Sequence, residues 1–134
     1  MHDPRPSLAV ESAGGGTRLE RSCGGLATAL VAGWRDQPGV LIGWAGTGPE
    51  VNIEPFLVRA AHRRSYTLRS VALTEEEIAK FYSGFANEII WPLFHDMPSR
   101  CNFDPEYWEI YQRVNRKFAS VTAETAQDDD FVWV

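Results

Sequence analysis

Two adjacent glycines, Gly24-Gly25, stand directly before an apolar run, LATALVAGW (26–34), that reads as a helix ending near Gly33. Glycine has no Cβ to hold a ligand away, so such a pair lets a phosphate approach backbone amides at the positive end of a helix. The same pair also makes a plain tight loop, and Gly-Gly alone does not choose between the two. A denser candidate is the segment 81–95, FYSGFANEIIWPLFH. It holds a phenol, Tyr82, and an indole, Trp91, each a flat apolar body with a polar tip of the kind that suits a sugar phosphate. Aromatic stripes more commonly fill cores. Nine residues separate the two, which places them about 180° apart on a straight α-helix. They converge only if Pro92 ends the helix and the chain bends.

The remaining reactive side chains form no machinery. His62 sits in RAAHRR (59–64), a basic patch that reads as a solvated face. His95 follows an apolar run and reads as a partly buried structural histidine, and His2 is terminal. There is no Ser/His/Asp or Cys/His pairing, so no catalytic residue is assigned. Cys23 and Cys101 are too far apart for a zinc spacing and too few for a disulfide framework, so no metal ligand is assigned and a reducing setting fits.

The elements that must carry these residues follow from pattern. The chain has 134 residues, 44% hydrophobic and 23% charged, which fits one ordinary globular domain rather than a disordered chain. A net charge of -5 argues against nucleic-acid binding, and no apolar run is long enough to span a bilayer. Residues 7–12 and 17–21 read as two short strands around Gly14-Gly15-Gly16. VLIGWAG (40–46) reads as a buried strand, 51–58 is ambiguous, and YTLRSVAL (66–73) reads as another strand.

The second half is helical. Thr74 with Glu77 makes a capping box, and Ile78, Phe81, Tyr82, Phe85 and Ile89 share one helical face. Pro92 is expected to kink or end that helix near Trp91. Asp104-Pro105 starts a last helix with Tyr107, Tyr111, Val114, Phe118 and Val121 on its apolar stripe, fading by Gln127. After the acidic loop 128–130, FVWV (131–134) reads as the opening of a buried strand. The order of elements gives an open α/β sheet, and the closing strand lacks the segment that would complete it, as in a fragment of a larger protein.

At these residues the sequence resembles a known family. CGGLATAL (23–30), IGWAG (42–46), LTEEEIAKFYSGFANEIIWPLFH (73–95), WEIYQRVNRKF (108–118) and the closing DDDFVWV are similar to the trehalose-6-phosphate synthases and their close glycosyltransferase relatives, in order and spacing over about residues 22–134.

The resemblance implies an incomplete N-terminal, acceptor-side Rossmann-like domain, residues 1–134, of a retaining GT-B glycosyltransferase. The C-terminal nucleotide-sugar domain would be absent, and the chain alone inactive. The implied reaction moves glucose from UDP-glucose, or another nucleotide-glucose, to glucose 6-phosphate, giving trehalose 6-phosphate. The implied enzyme has no metal or other cofactor, works in the cytoplasm, binds neither nucleic acid nor membrane, and is a homo-oligomer when full length.

Gly24 and Gly25 fall on the family's donor-side glycine loop, and Tyr82 and Trp91 on its acceptor-binding aromatic pair. Trp44 matches a packing position, and Asn87 and His95 match motif positions with structural roles. The family's opening strand ends in Ser-Asn-Arg; this chain starts MHDPRP and lacks that strand, and Arg5, with only four residues before it, is not assigned the arginine's role. The alternatives are a glucosylglycerol-phosphate synthase, with glycerol 3-phosphate as acceptor, and a non-catalytic remnant or regulatory chain.

Overall fold

The computed structural model describes residues 9–13, 16–20, 38–49, 51–61 and 66–134. The chain divides into two compact units, Met1–Ala72 and Leu73–Val134.

In the first unit, β1 (Ala9–Ala13) pairs antiparallel with β2 (Gly16–Glu20), from Ala9 opposite Glu20 to Ala13 opposite Gly16. The hairpin read from the glycine cluster is therefore present. β3 (Gly39–Gly43) is followed by helix α1 (Glu54–Ala61), which resolves the ambiguous stretch, and by β4 (Tyr66–Ser70). β3 and β4 pair in parallel, Gly39 with Tyr66 through Gly43 with Ser70, so the three elements form a β-α-β unit. Its core follows the period of two along β4: Tyr66 and Leu68 are buried while Thr67 and Arg69 are exposed. Leu57 from α1 joins them, with Leu41 and Ile53 packed alongside. The strand read over 40–46 is shorter and only half-buried: it stops at Gly43, and Gly46 takes φ 84° in the bend that follows.

The second unit is an antiparallel pair of helices. The first helix is composite. α2 (Glu75–Glu77) starts on the expected capping box: the Glu77 N–H donates to Thr74 Oγ1 at 3.2 Å, and the Thr74 N–H donates to Glu77 Oε2 at 2.9 Å. Residues Ile78–Ile90 then wind as a π-helix, and α3 (Trp91–Phe94) closes the run. The residues turned inward, Glu77, Phe81, Phe85 and Ile89, recur every four positions. In an α-helix that spacing drifts about 40° per step and would carry Ile89 off the face. The wider i→i−5 winding cancels the drift. At the far end the Trp91 N–H still donates five residues back, to the Ala86 carbonyl.

Pro92 corrects an expectation. The helix neither ends nor breaks at Trp91 but runs on to Phe94, with Pro92 buried in the first turn of α3. The register changes from π to α at this point, and the carbonyl four residues back, that of Glu88, accepts from the Asn102 N–H at 3.0 Å in place of the missing proline amide.

α4 (Pro105–Thr125) is capped by Asp104, whose Oδ1 accepts from the Glu106 N–H at 2.9 Å, with Pro105 at the first helical position. Its buried residues are Ile110 and Val114, the latter with no exposed surface. Phe81 and Phe85 stack on Tyr111 at ring-centroid distances of 5.7 and 4.3 Å. Gly84 makes the close approach possible, since a Cβ there would lie 2.7 Å from the Tyr107 ring.

The closing segment corrects a second expectation. Residues 131–134 form no strand: Phe131 is 92% and Trp133 74% exposed. A strand exists through the ladder bonds of a neighbour, and among the described residues this segment makes none.

Candidate functional site

The sequence-derived site residues divide three ways. Gly24 and Gly25, read as donor-binding, lie outside the described residues, as do the helix read over 26–34 and Arg5. Trp44 lies just past the carboxyl end of β3. Its indole N–H donates to the Thr47 carbonyl at 2.9 Å, which supports the packing role. Around it a small open hollow is lined by Leu41, Trp44, Leu57, Leu68, Arg69 and Ser70, at the carboxyl ends of the parallel strands where α/β sheets carry ligands.

Tyr82 and Trp91 both stand on the composite helix of the second unit. The π-winding changes their relation. At roughly 90° per residue, nine residues leave them about a quarter-turn apart instead of opposite. Tyr82 is half-buried, whereas Trp91 is 49% exposed, at the end of the helix where Leu93 and Phe94 are exposed as well. His95 lies flat against the Trp91 indole, with ring centroids 4.1 Å apart and planes at 21°, and its Nδ1 is 2.7 Å from the Trp91 carbonyl oxygen. Asn87 is exposed on the same helix.

Two polar groups hold this helix against α4. Glu77 is 3% exposed and accepts from Lys117 Nζ at 2.6 Å. Burial alone would push its carboxyl up, but the Lys117 ammonium and the Thr74 N–H outweigh that and hold it below the usual carboxylate range. Near the other end, Glu88 Oε2 accepts from the Tyr107 hydroxyl at 3.0 Å and from Asn102 Nδ2 at 2.8 Å. The Glu88 carboxylate, with burial, pushes the Tyr107 phenol up, so it stays a proton donor. At the exposed rim Lys80 bridges Glu76 and Glu106, which raises its pKa.

Sequence reasoning did not find the Glu88–Asn102–Tyr107 cluster, because its members follow no periodic spacing. A glycine inside a helix, Gly84, was the one available signal of a close approach there.

Among the described residues no group of three His, Cys, Asp or Glu side chains is gathered closely enough to hold a metal ion. No described helix is long and apolar enough to cross a membrane.

Known proteins resemble this chain in sequence and structure. The profile of glycosyltransferase family 20 matches residues 5–134. The trehalose-6-phosphate synthase of Mycolicibacterium vanbaalenii is 38% identical over 125 residues, covering 93% of this chain and 26% of the relative. That of Mycolicibacterium smegmatis is 39% identical over 120 residues, 90% of this chain and 23% of the relative. The chain thus spans about a quarter of the length of these curated relatives.

Among solved structures, the α,α-trehalose-phosphate synthase (UDP-forming) of Burkholderia xenovorans in complex with glucose-6-phosphate superposes with a TM-score of 0.68 at 28% identity, over 83% of this chain and 24% of that one. An Escherichia coli protein of the same kind, bound with UDP-2-fluoro glucose, gives a TM-score of 0.65 at 27% identity, over 84% of this chain and 24% of that one. The mixed α/β architecture with its parallel β-α-β unit is that of a partial Rossmann-like domain of these GT-B enzymes. The chain belongs to glycosyltransferase family 20.

Proposed function

We propose that this chain is the acceptor-side part of the N-terminal domain of a retaining glycosyltransferase that moves glucose from UDP-glucose to glucose 6-phosphate, giving trehalose 6-phosphate. The observation that carries the acceptor assignment is Trp91, a tryptophan that keeps 49% of its surface exposed while His95 stacks on its ring. An indole left half open on the same helix as a tyrosine suits a pyranose ring bearing a phosphate. The family match and the glucose-6-phosphate complex of the Burkholderia xenovorans relative support the same reading.

In this reading Tyr82 and Trp91 bind the acceptor. Gly24 and Gly25 let the donor diphosphate approach backbone amides, a fixed electrostatic stabilisation that asks for no metal. In this reading the principal basic groups for the donor belong to a C-terminal nucleotide-sugar domain. The complete enzyme would be a cytoplasmic homo-oligomer.

A chimera tests this. Residues 5–134 replace the matching quarter of the Mycolicibacterium smegmatis synthase, and transfer from UDP-glucose is assayed with glucose 6-phosphate and with glycerol 3-phosphate. The expected outcome is trehalose 6-phosphate, with Trp91→Ala raising KM for glucose 6-phosphate about tenfold or more. A chimera that melts cooperatively yet uses only glycerol 3-phosphate, or neither acceptor, overturns the reading.

A further inference from the structure

The Trp91 carbonyl would ordinarily accept from the amide four residues on, that of His95. That amide instead donates to the Pro92 carbonyl at 3.2 Å as the helix tightens. The later carbonyls are closed by backbone as well. The Asp96 N–H donates to Leu93 at 3.3 Å and the Met97 N–H to Pro92 at 2.9 Å, with Asp96 at φ 55°. This is a Schellman ending with aspartate in the left-handed position. The Trp91 carbonyl is thereby left for a side chain, and His95 Nδ1 reaches it at 2.7 Å. A carbonyl oxygen only accepts, so Nδ1 carries a proton and donates. The same short reach lays the imidazole along the indole, 4.1 Å between centroids. One ring therefore ends the helix and covers one face of an exposed tryptophan.

We propose that His95 is a positioning residue that clamps the Trp91 indole, so that its opposite face stands ready for the pyranose ring of a hexose phosphate. The ligand half of this inference rests on Trp91 being an acceptor residue; the clamp itself does not. A half-exposed indole without a stacked partner turns about two torsions and must be ordered when ligand arrives. The imidazole removes that freedom beforehand. Removing the clamp is expected to weaken hexose-phosphate binding about 3- to 10-fold.

Two substitutions separate the clamp from helix capping. His95→Asn keeps an N–H donor at the Nδ1 position and removes the ring. His95→Phe keeps a ring and removes the donor. In the full chain, ¹⁵N relaxation of the Trp91 indole N–H, assigned by its loss in Trp91→Phe, is measured without ligand and then during titration with glucose 6-phosphate.

The expected result is a mobile indole and weakened binding in His95→Asn at an unchanged melting temperature. His95→Phe keeps a rigid indole and near-wild-type affinity with a lowered melting temperature. An indole as rigid in His95→Asn as in the wild type overturns the clamp. Should His95→Asn not fold, a mobile indole in His95→Phe overturns it instead. A mobile indole in His95→Asn, in a wild type that does not bind glucose 6-phosphate, upholds the clamp and refutes the acceptor reading.

Discussion

Gly84 carries a structural demand that its residue type hides. Glycine inside a helix costs about 1 kcal/mol relative to alanine, so an isolated helix would gain from Gly84→Ala. Here the added methyl would meet the Tyr107 ring at 2.7–2.9 Å, and that ring is held by its hydroxyl bond to Glu88. The clash wins. Gly84→Ala is expected to destabilise the second unit by about 1–3 kcal/mol, read from urea unfolding followed by circular dichroism.

Glu77 is the other decisive residue. Its folded-state pKa is depressed, so its contribution is present above the unfolded pKa near 4.5 and is lost as pH falls through the lower folded value. Thermal melts from pH 7 down to pH 3 should show the loss beginning below about pH 4.5. Glu77→Gln should cost about 1–3 kcal/mol at pH 7 and flatten this part of the pH profile. An unchanged profile in Glu77→Gln would show that another carboxylate governs acid stability.

The helices were legible where their signals are local. The Thr74–Glu77 capping box and the Asp104-Pro105 start both stand as read, because a cap is made by residues within one turn of each other. The π-winding was not legible, since the four-residue spacing of Phe81, Phe85 and Ile89 becomes decisive only against the aromatic face of α4. Pro92 was misread for the same reason: its effect depends on the register it meets. Asp96, at φ 55°, offers a prediction at this level. It places a non-glycine residue in the left-handed region and a negative charge at the negative end of a helix. Asp96→Gly should therefore stabilise the second unit by about 0.5–1 kcal/mol in the same urea experiment, and a loss of stability would mean that the aspartate makes a compensating contact.

For the molecule as a whole, fold class and family were readable from the order of motifs, while the proposed acceptor roles of Tyr82 and Trp91 rest on resemblance. Periodicity alone set Tyr82 and Trp91 on opposite sides. The segment 131–134 failed as a strand because composition states a preference and a partner makes the structure; Trp133 is 74% exposed.

The ties that bring α4 and the segment before it back onto the composite helix carry a consequence of their own. Cys101 reaches back to Ile89, Asn102 to Glu88, Glu106 to Lys80 and Lys117 to Glu77, over 12, 14, 26 and 40 residues. Each pair lies inside the next. Once the innermost has formed, the outer ones have only short lengths of chain left to close, so this half can zip up from its bend without a long-range search. Its folding should belong to the microsecond-to-millisecond class of helical proteins.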